Sequence, residues 1–175
     1  MKVAFYTLGC KVNMYETEFI MNQFSERNYK IVPITDVADI YIINTCSVTS
    51  TSDIKGKKII RRVIKQNPKA VIAVLGCLVQ DGYEELTKIK GISILVGNYG
   101  KSKVIEYVED YIKNKKQIIK VGDITKVEFE PMKVNTFFDK TRAFVKIQDG
   151  CNNYCSYCII PYIRGNIRSK SKEDV

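Results

Sequence analysis

The sequence contains no histidine, so a zinc site would lack one of its usual ligands and want a nearby cysteine instead. No run approaches 18 consecutive apolar residues, and no membrane-spanning helix or membrane association is expected. The opening stretch Met1-Lys2-Val3-Ala4-Phe5-Tyr6 lacks the long apolar region and small-residue cleavage site of a secretory leader, and reads as a strand. A reducing, cytoplasmic setting is therefore expected, in which six cysteines serve metal binding or catalysis rather than disulfides. Acidic residues are in the minority, 19 against 28 Lys and Arg, for a net charge of +9. That balance suits a polyanion such as nucleic acid or an acidic membrane surface, and plain solubility equally well.

With 45% hydrophobic residues in 175, the chain can build one full domain and part of another. Short apolar runs alternate with helical patterns. Val3–Leu8, Tyr29–Ile34, Asp39–Asn44, Ala70–Leu75, Ser93–Val96 and Gln117–Lys120 read as strands. Asn13 reads as a helix N-cap with Glu16 as its capping-box partner, opening a helix to about Arg27. A Ser/Thr-rich turn, Ser47–Ser52, leads into a helix with Ile59/Val63 and Ile60/Ile64 as its apolar stripe. The rest of that helix is basic: Lys55, Lys57, Lys58, Arg61, Arg62 and Lys65. It is either a solvated face or a nucleic-acid contact. Asp81 and Glu84 can cap the next helix, and Val104, Val108 and Ile112 mark another. This alternation predicts an α/β fold, a parallel sheet flanked by helices, over residues 1–122. Residues 123–140, charged and aperiodic, read as a linker. A new strand is expected over Arg142–Gln148, opening a second unit at 141–175.

Two cysteine patterns follow from this layout. Cys10, Cys46 and Cys77 each lie just past a strand, two of them directly after Gly. In a parallel sheet those ends share one edge, where open α/β folds place ligands. The three thiols are therefore expected to meet as a metal or cluster site, the alternative being three independent half-buried thiols. Cys151, Cys155 and Cys158 form a C-x₃-C-x₂-C run. Such a loop can give three thiolates to a 4Fe–4S cube and leave one iron open. A zinc knuckle and three unrelated buried thiols are the alternatives.

The segments Thr7–Glu18, Asn44–Thr49 and Leu75–Cys77 resemble the N-terminal domain of the radical S-adenosylmethionine (SAM) methylthiotransferases, a Rossmann- or flavodoxin-like unit. Lys146–Cys151 through Cys158–Gly165 resemble the opening of that family's radical SAM (β/α) barrel. Within the family, the similarity is to the MtaB-like branch, which modifies N6-threonylcarbamoyladenosine beside the tRNA anticodon. Sister branches act on isopentenyl-adenosine in tRNA and on a ribosomal protein.

The resemblance implies two 4Fe–4S clusters. One, on Cys151, Cys155 and Cys158, would bind SAM and generate a radical. The other, on Cys10, Cys46 and Cys77, would carry the sulfur that a second SAM methylates and that is inserted at C2 of adenine. Tyr157 matches the aromatic beside the SAM adenine. Arg164 and Arg168 are candidate contacts to SAM or RNA phosphate, or solvated side chains. No protein acid or base is predicted, and a reducing electron donor is implied. Against the family's length, the chain is expected to be an N-terminal piece of a larger enzyme, inactive alone. A non-catalytic Fe–S or sulfur-carrier module, or an RNA-binding scaffold, is the reading of another class.

Overall fold

Apolar runs of three to six residues pair side by side into one sheet: β1 (Lys2–Thr7), β2 (Lys30–Val32), β3 (Ile40–Thr45), β4 (Val71–Gly76), β5 (Ile94–Val96) and β6 (Ile118–Lys120). The computed structural model describes residues 1–47, 49–138, 143–173 and 175. The strand order is β2-β1-β3-β4-β5-β6, and every neighbouring pair is parallel. Four helices supply the crossovers: α1 (Lys11–Glu26), α2 (Ser50–Gln66), α3 (Cys77–Thr87) and α4 (Val104–Asn114), the last entered through a 3-10 turn at Lys101–Lys103. The expected α/β architecture with a parallel sheet between helices is what the chain forms.

β3 and β4 are buried at every position, as a sheet covered on both faces requires. Ile40 and Ile42 join Ile20, Phe24, Val104 and Val108 in one core layer, on the side of α1 and α4. Tyr41 and Ile43 join Ile59, Ile60, Val63, Leu78 and Leu86 in the other, on the side of α2 and α3. The chain leaves β1 toward one edge and builds from β3 toward the other. The crevice at the carboxyl ends of β1 and β3 is thus a topological switch point.

Three local expectations are corrected. α1 begins at Lys11 with Cys10 at its N-cap, so Asn13 and Glu16 are not a capping box but lie inside the first turns, fully buried. α3 begins at Cys77, capped by Gly76, ahead of Asp81 and Glu84. α2 starts at Ser50, its cap formed by the Thr49 side chain accepting from Ser52 N. Its Lys55, Lys58, Arg61, Arg62 and Lys65 are exposed, and Lys57 pairs with Glu85 at 2.9 Å. No helix among the described residues is long and apolar enough to cross a membrane.

The strand expected over Arg142–Gln148 is not there. Arg142 lies outside the described residues, 143–147 have no regular structure, and only β7 (Gln148–Asp149) pairs, antiparallel, with β8 (Arg168–Ser169). Among the described residues no parallel neighbour pairs it, Val145 and Ile147 face solvent, and Lys146 turns inward. Between β7 and β8 lies the short helix α5 (Ile160–Arg164). Residues 123–138 also lack regular structure, yet they are tied down. The Tyr15 hydroxyl donates to Met132 O (2.6 Å), Asn22 exchanges two bonds with Thr136, and Phe138 N donates to Glu18 (3.0 Å). Glu130 accepts from Gly100 N, Ser102 N and the Ser102 hydroxyl at the entry to α4.

Candidate metal centre

Consecutive exits from the sheet bring the first cysteine trio to one edge. β3 runs between β1 and β4, so Thr45-Cys46 lies between Gly9-Cys10 and Gly76-Cys77. The approach is close on both sides. A Cβ on Gly9 would stand 2.7 Å from Cys46 Cβ, and one on Gly76 would stand 2.6 Å from Thr45 O. Both glycines have φ near +100°, which an L side chain rarely adopts. The two Gly-Cys pairs are thus where backbone must turn sharply against a neighbouring exit. Cys46 and Cys77 are buried and Cys10 is exposed.

Two asparagines hold this edge. Asn13 Nδ2 donates to Leu8 O (2.8 Å) and Thr45 O (2.9 Å), stitching the ends of β1 and β3, and its Oδ1 lies 3.8 Å from the Cys10 thiol. Asn98, after β5, lies 3.4 Å from Cys77 Sγ through Nδ2 and donates from the same nitrogen to Ile163 O of α5 (2.6 Å). The helix that follows the second cysteine loop therefore sits against the first trio.

A buried ion network reinforces that contact. Glu16, fully buried, accepts from Lys101 (2.5 Å), Lys146 (3.1 Å) and Arg164 (3.2 Å). Asp149 accepts from Lys146 (2.6 Å) and Arg164 (3.0 Å), with Arg168 at 3.8 Å. Arg164 Nη2 also donates to Asn13 Oδ1 (2.6 Å). Burial pushes the Glu16 carboxyl up, but Lys101, Arg164 and Lys146 together hold it well below the usual carboxylate range. Burial also raises Asp149, and Arg164 and Lys146 outweigh it to bring the group down. For Arg164, burial lowers the guanidinium; Glu16, Asp149 and the nearby Cys77 sulfur more than restore it. Of the two arginines expected to contact SAM or RNA phosphate or to be solvated, Arg164 is buried in this network, and Arg168 donates to Ile124 O and Asn166 O. Glu16 and Asn13 carried no sequence signal of this role beyond reading as a helix start.

The second trio occupies a turn rather than a sheet edge. Cys158 N donates to Cys155 O (2.9 Å) and Cys151 N to Gly165 O (3.1 Å), closing the loop over α5. Tyr154 and Tyr162 meet edge-on at 5.8 Å. Tyr157 is 90% exposed. A cleft of about 510 Å³ beside β6, lined by Tyr99, Lys103, Tyr107 and Lys120 among others, touches none of the six cysteines.

Among the described residues, no three cysteine or carboxylate side chains already converge on a metal position. The donor chemistry nevertheless fits a soft, thiolate-bound centre at the sheet edge. Three thiol-bearing backbones adjoin there. Two buried oxygens there, Asn44 Oδ1 against Gly76 and Ser47 Oγ next after Cys46, have no hydrogen-bond partner among the described residues.

Fold and site together define an α/β domain with thiols at the carboxyl edge of a parallel sheet. A family model described as "Uncharacterized protein family UPF0004" matches residues 2–97, more than half of the chain, and the chain belongs to that family. It is 47% identical over 99% of its length to the threonylcarbamoyladenosine tRNA methylthiotransferase MtaB of Bacillus subtilis, covering 39% of that relative. It is 39% identical over its whole length to the MtaB of Aquifex aeolicus, covering 43% of it. It is 32% identical to a tRNA-2-methylthio-N(6)-dimethylallyladenosine synthase of Clostridioides difficile, over 97% of this chain and 36% of the relative. The chain spans about two fifths of the length of the curated relatives it matches.

Proposed function

We propose that the protein serves in methylthiolation of tRNA, at C2 of N6-threonylcarbamoyladenosine at position 37 of the anticodon loop. The observation that carries this reading is the 47% identity, over 99% of the chain, to a relative named for that activity. The lower identity to the dimethylallyladenosine synthase favours threonylcarbamoyladenosine over isopentenyl-adenosine as the substrate. The position of the thiols supports it further. Cys10, Cys46 and Cys77 adjoin at one sheet edge, and α5 joins the Cys151, Cys155 and Cys158 loop to that edge.

In this proposal each trio holds one 4Fe–4S cluster. Bound there, the clusters would supply an open iron for SAM at the loop and a sulfur carrier at the edge. The protein's own part is to position. Asn13 and Asn98 lie against the Cys10 and Cys77 thiols, and the loop would present Tyr157, exposed, for stacking on the SAM adenine. The exposed cations of α2 offer a phosphate-binding face to tRNA. Residues 1–122 would act as the sulfur-bearing domain, 123–140 as the connection and 141–175 as the start of a radical SAM barrel. The setting would be cytoplasmic, with a reducing electron donor.

Mass spectrometry of tRNA nucleosides from cells lacking the gene tests the proposal. Loss of the 2-methylthio group on threonylcarbamoyladenosine alone is expected, restored by the wild-type gene and not by one carrying Cys77→Ser. Loss on isopentenyl-adenosine instead would reassign the substrate, and no loss on either would sink the proposal.

A further inference from the structure

The ion network at the α1–α5 contact holds more cations than carboxylates; Glu18, the other buried carboxylate of α1, accepts from Phe138 N outside it. Lys101, Lys146 and Arg164 face two carboxylates, Glu16 and Asp149, an excess of one before Arg168 at 3.8 Å is added. Surplus charge in a buried site is costly unless something opposite lies beside it. Glu16 and Lys101 are fully buried, so bulk water is not that partner. The cation aimed at the sheet edge is Arg164. Its Nη2 bonds Asn13 Oδ1, which lies against the Cys10 thiol, and Ile163 O beside it is bonded by Asn98, which contacts Cys77.

We infer that Arg164, pinned by Glu16 and Asp149, is a positioning residue that sets its guanidinium against the Cys10/Cys46/Cys77 edge to balance an anionic sulfur centre there. Through Arg164 the loop cysteines are registered against the edge cysteines. The inference rests on the reading that the edge trio holds a cluster. A cube held by three thiolates is anionic in its ordinary oxidised state, which supplies the missing opposite charge. A guanidinium suits the task because it stays charged when buried and its fork reaches Asn13, Glu16 and Asp149 at once. Lysine could keep the charge but not all of those bonds.

The test uses the protein with Cys151, Cys155 and Cys158 all changed to Ala, so that after anaerobic reconstitution the edge trio alone can hold iron. Its midpoint potential is followed by a redox titration read in electron paramagnetic resonance. Arg164→Gln is expected to make the cluster harder to reduce, moving the potential down, and Arg164→Lys to leave it near the parent value. A purely structural role would not separate the two variants by charge.

A second readout needs no metal. In the iron-free chain, Arg164→Gln and Glu16→Gln are expected to speed alkylation of Cys77 by about tenfold or more, as α5 lifts from the edge, with circular dichroism unchanged. If the edge trio of the parent takes up no cluster, the functional reading fails. If it takes up a cluster whose potential is the same in Arg164→Gln, while Cys77 stays protected, the inference about Arg164 is overturned and the functional reading stands.

Discussion

At the sheet edge, Cys10, Cys46 and Cys77 are placed by backbone: they follow three adjacent parallel strands, two of which are buried at every position. In the 150–169 region, Cys151, Cys155 and Cys158 sit among two two-residue strands and a five-residue helix. The first trio inherits its geometry from a core that would form without it. The second depends on side chains, above all Glu16, Asp149 and Arg164, to hold its loop against the domain. Rigid elements position functional groups more closely than loops do, and a loop must borrow order from what it packs on.

The comparison breaks most visibly at Glu16. Glu16→Gln removes the anion shared by three buried cations. Taking one partner from a buried ion pair costs about 3–5 kcal/mol. Urea denaturation is expected to show a loss of that order, and hydrogen exchange to show protection lost first in 146–169 while β3 and β4 keep theirs. Uniform loss across both regions would mean that the loop is as integral as the sheet.

Gly76→Ala strikes the other side. The added Cβ meets the Thr45 carbonyl, which belongs to backbone, and φ is +97°. A strained residue of this kind costs about 1–3 kcal/mol. The damage is expected at the sheet edge, seen as faster alkylation of Cys46 and Cys77, with the Glu16 network intact. An unperturbed edge would show that the two exits can separate freely.

Acid gives the most graded effect. Glu16 and Asp149 have lowered carboxyl pKa values in the folded chain. Such groups contribute stability that is fully present above their unfolded values, near 4. It is lost as the pH falls through the folded ones. Stability should therefore be level from neutral pH to about 5 and fall below it, with the 146–169 region released before the sheet. Lys146 titrates above its ordinary value because Glu16 and Asp149 outweigh its burial. Its contribution is present below an unfolded value of about 10.4 and lost as the pH rises through the folded one. Thermal melts across pH, read by loop-specific and sheet-specific probes, check both limbs.

What could be read from the residues divides along the same line. The sheet was legible because Val71–Leu75 and Ile40–Asn44 are apolar runs between turn signals, and burial on both faces demands such runs. The placing of three cysteines past three strands followed from that alone. Asn13 and Glu16 misled because a cap and a buried polar residue near a helix start share the same spelling. Only the partner from the far end of the chain, Arg164, tells them apart. The strand expected before the loop failed because a strand needs a neighbour. Lys146, within it, is drawn to Glu16 and Asp149 instead.

The bonds from Tyr15, Asn22, Glu18, Gly100 and Ser102 to residues 130–138 bear on how often the two trios meet. A slack tether lets its ends wander, at an entropic cost of closure that grows with its length. Pinned at several points along α1 and the α4 entry, this segment spends most of that cost once, as the domain folds. The last of these ties, at Phe138, stands close in sequence to Cys151, so the effective concentration of the loop at the sheet edge is high even when α5 is detached. Re-docking is then a local search.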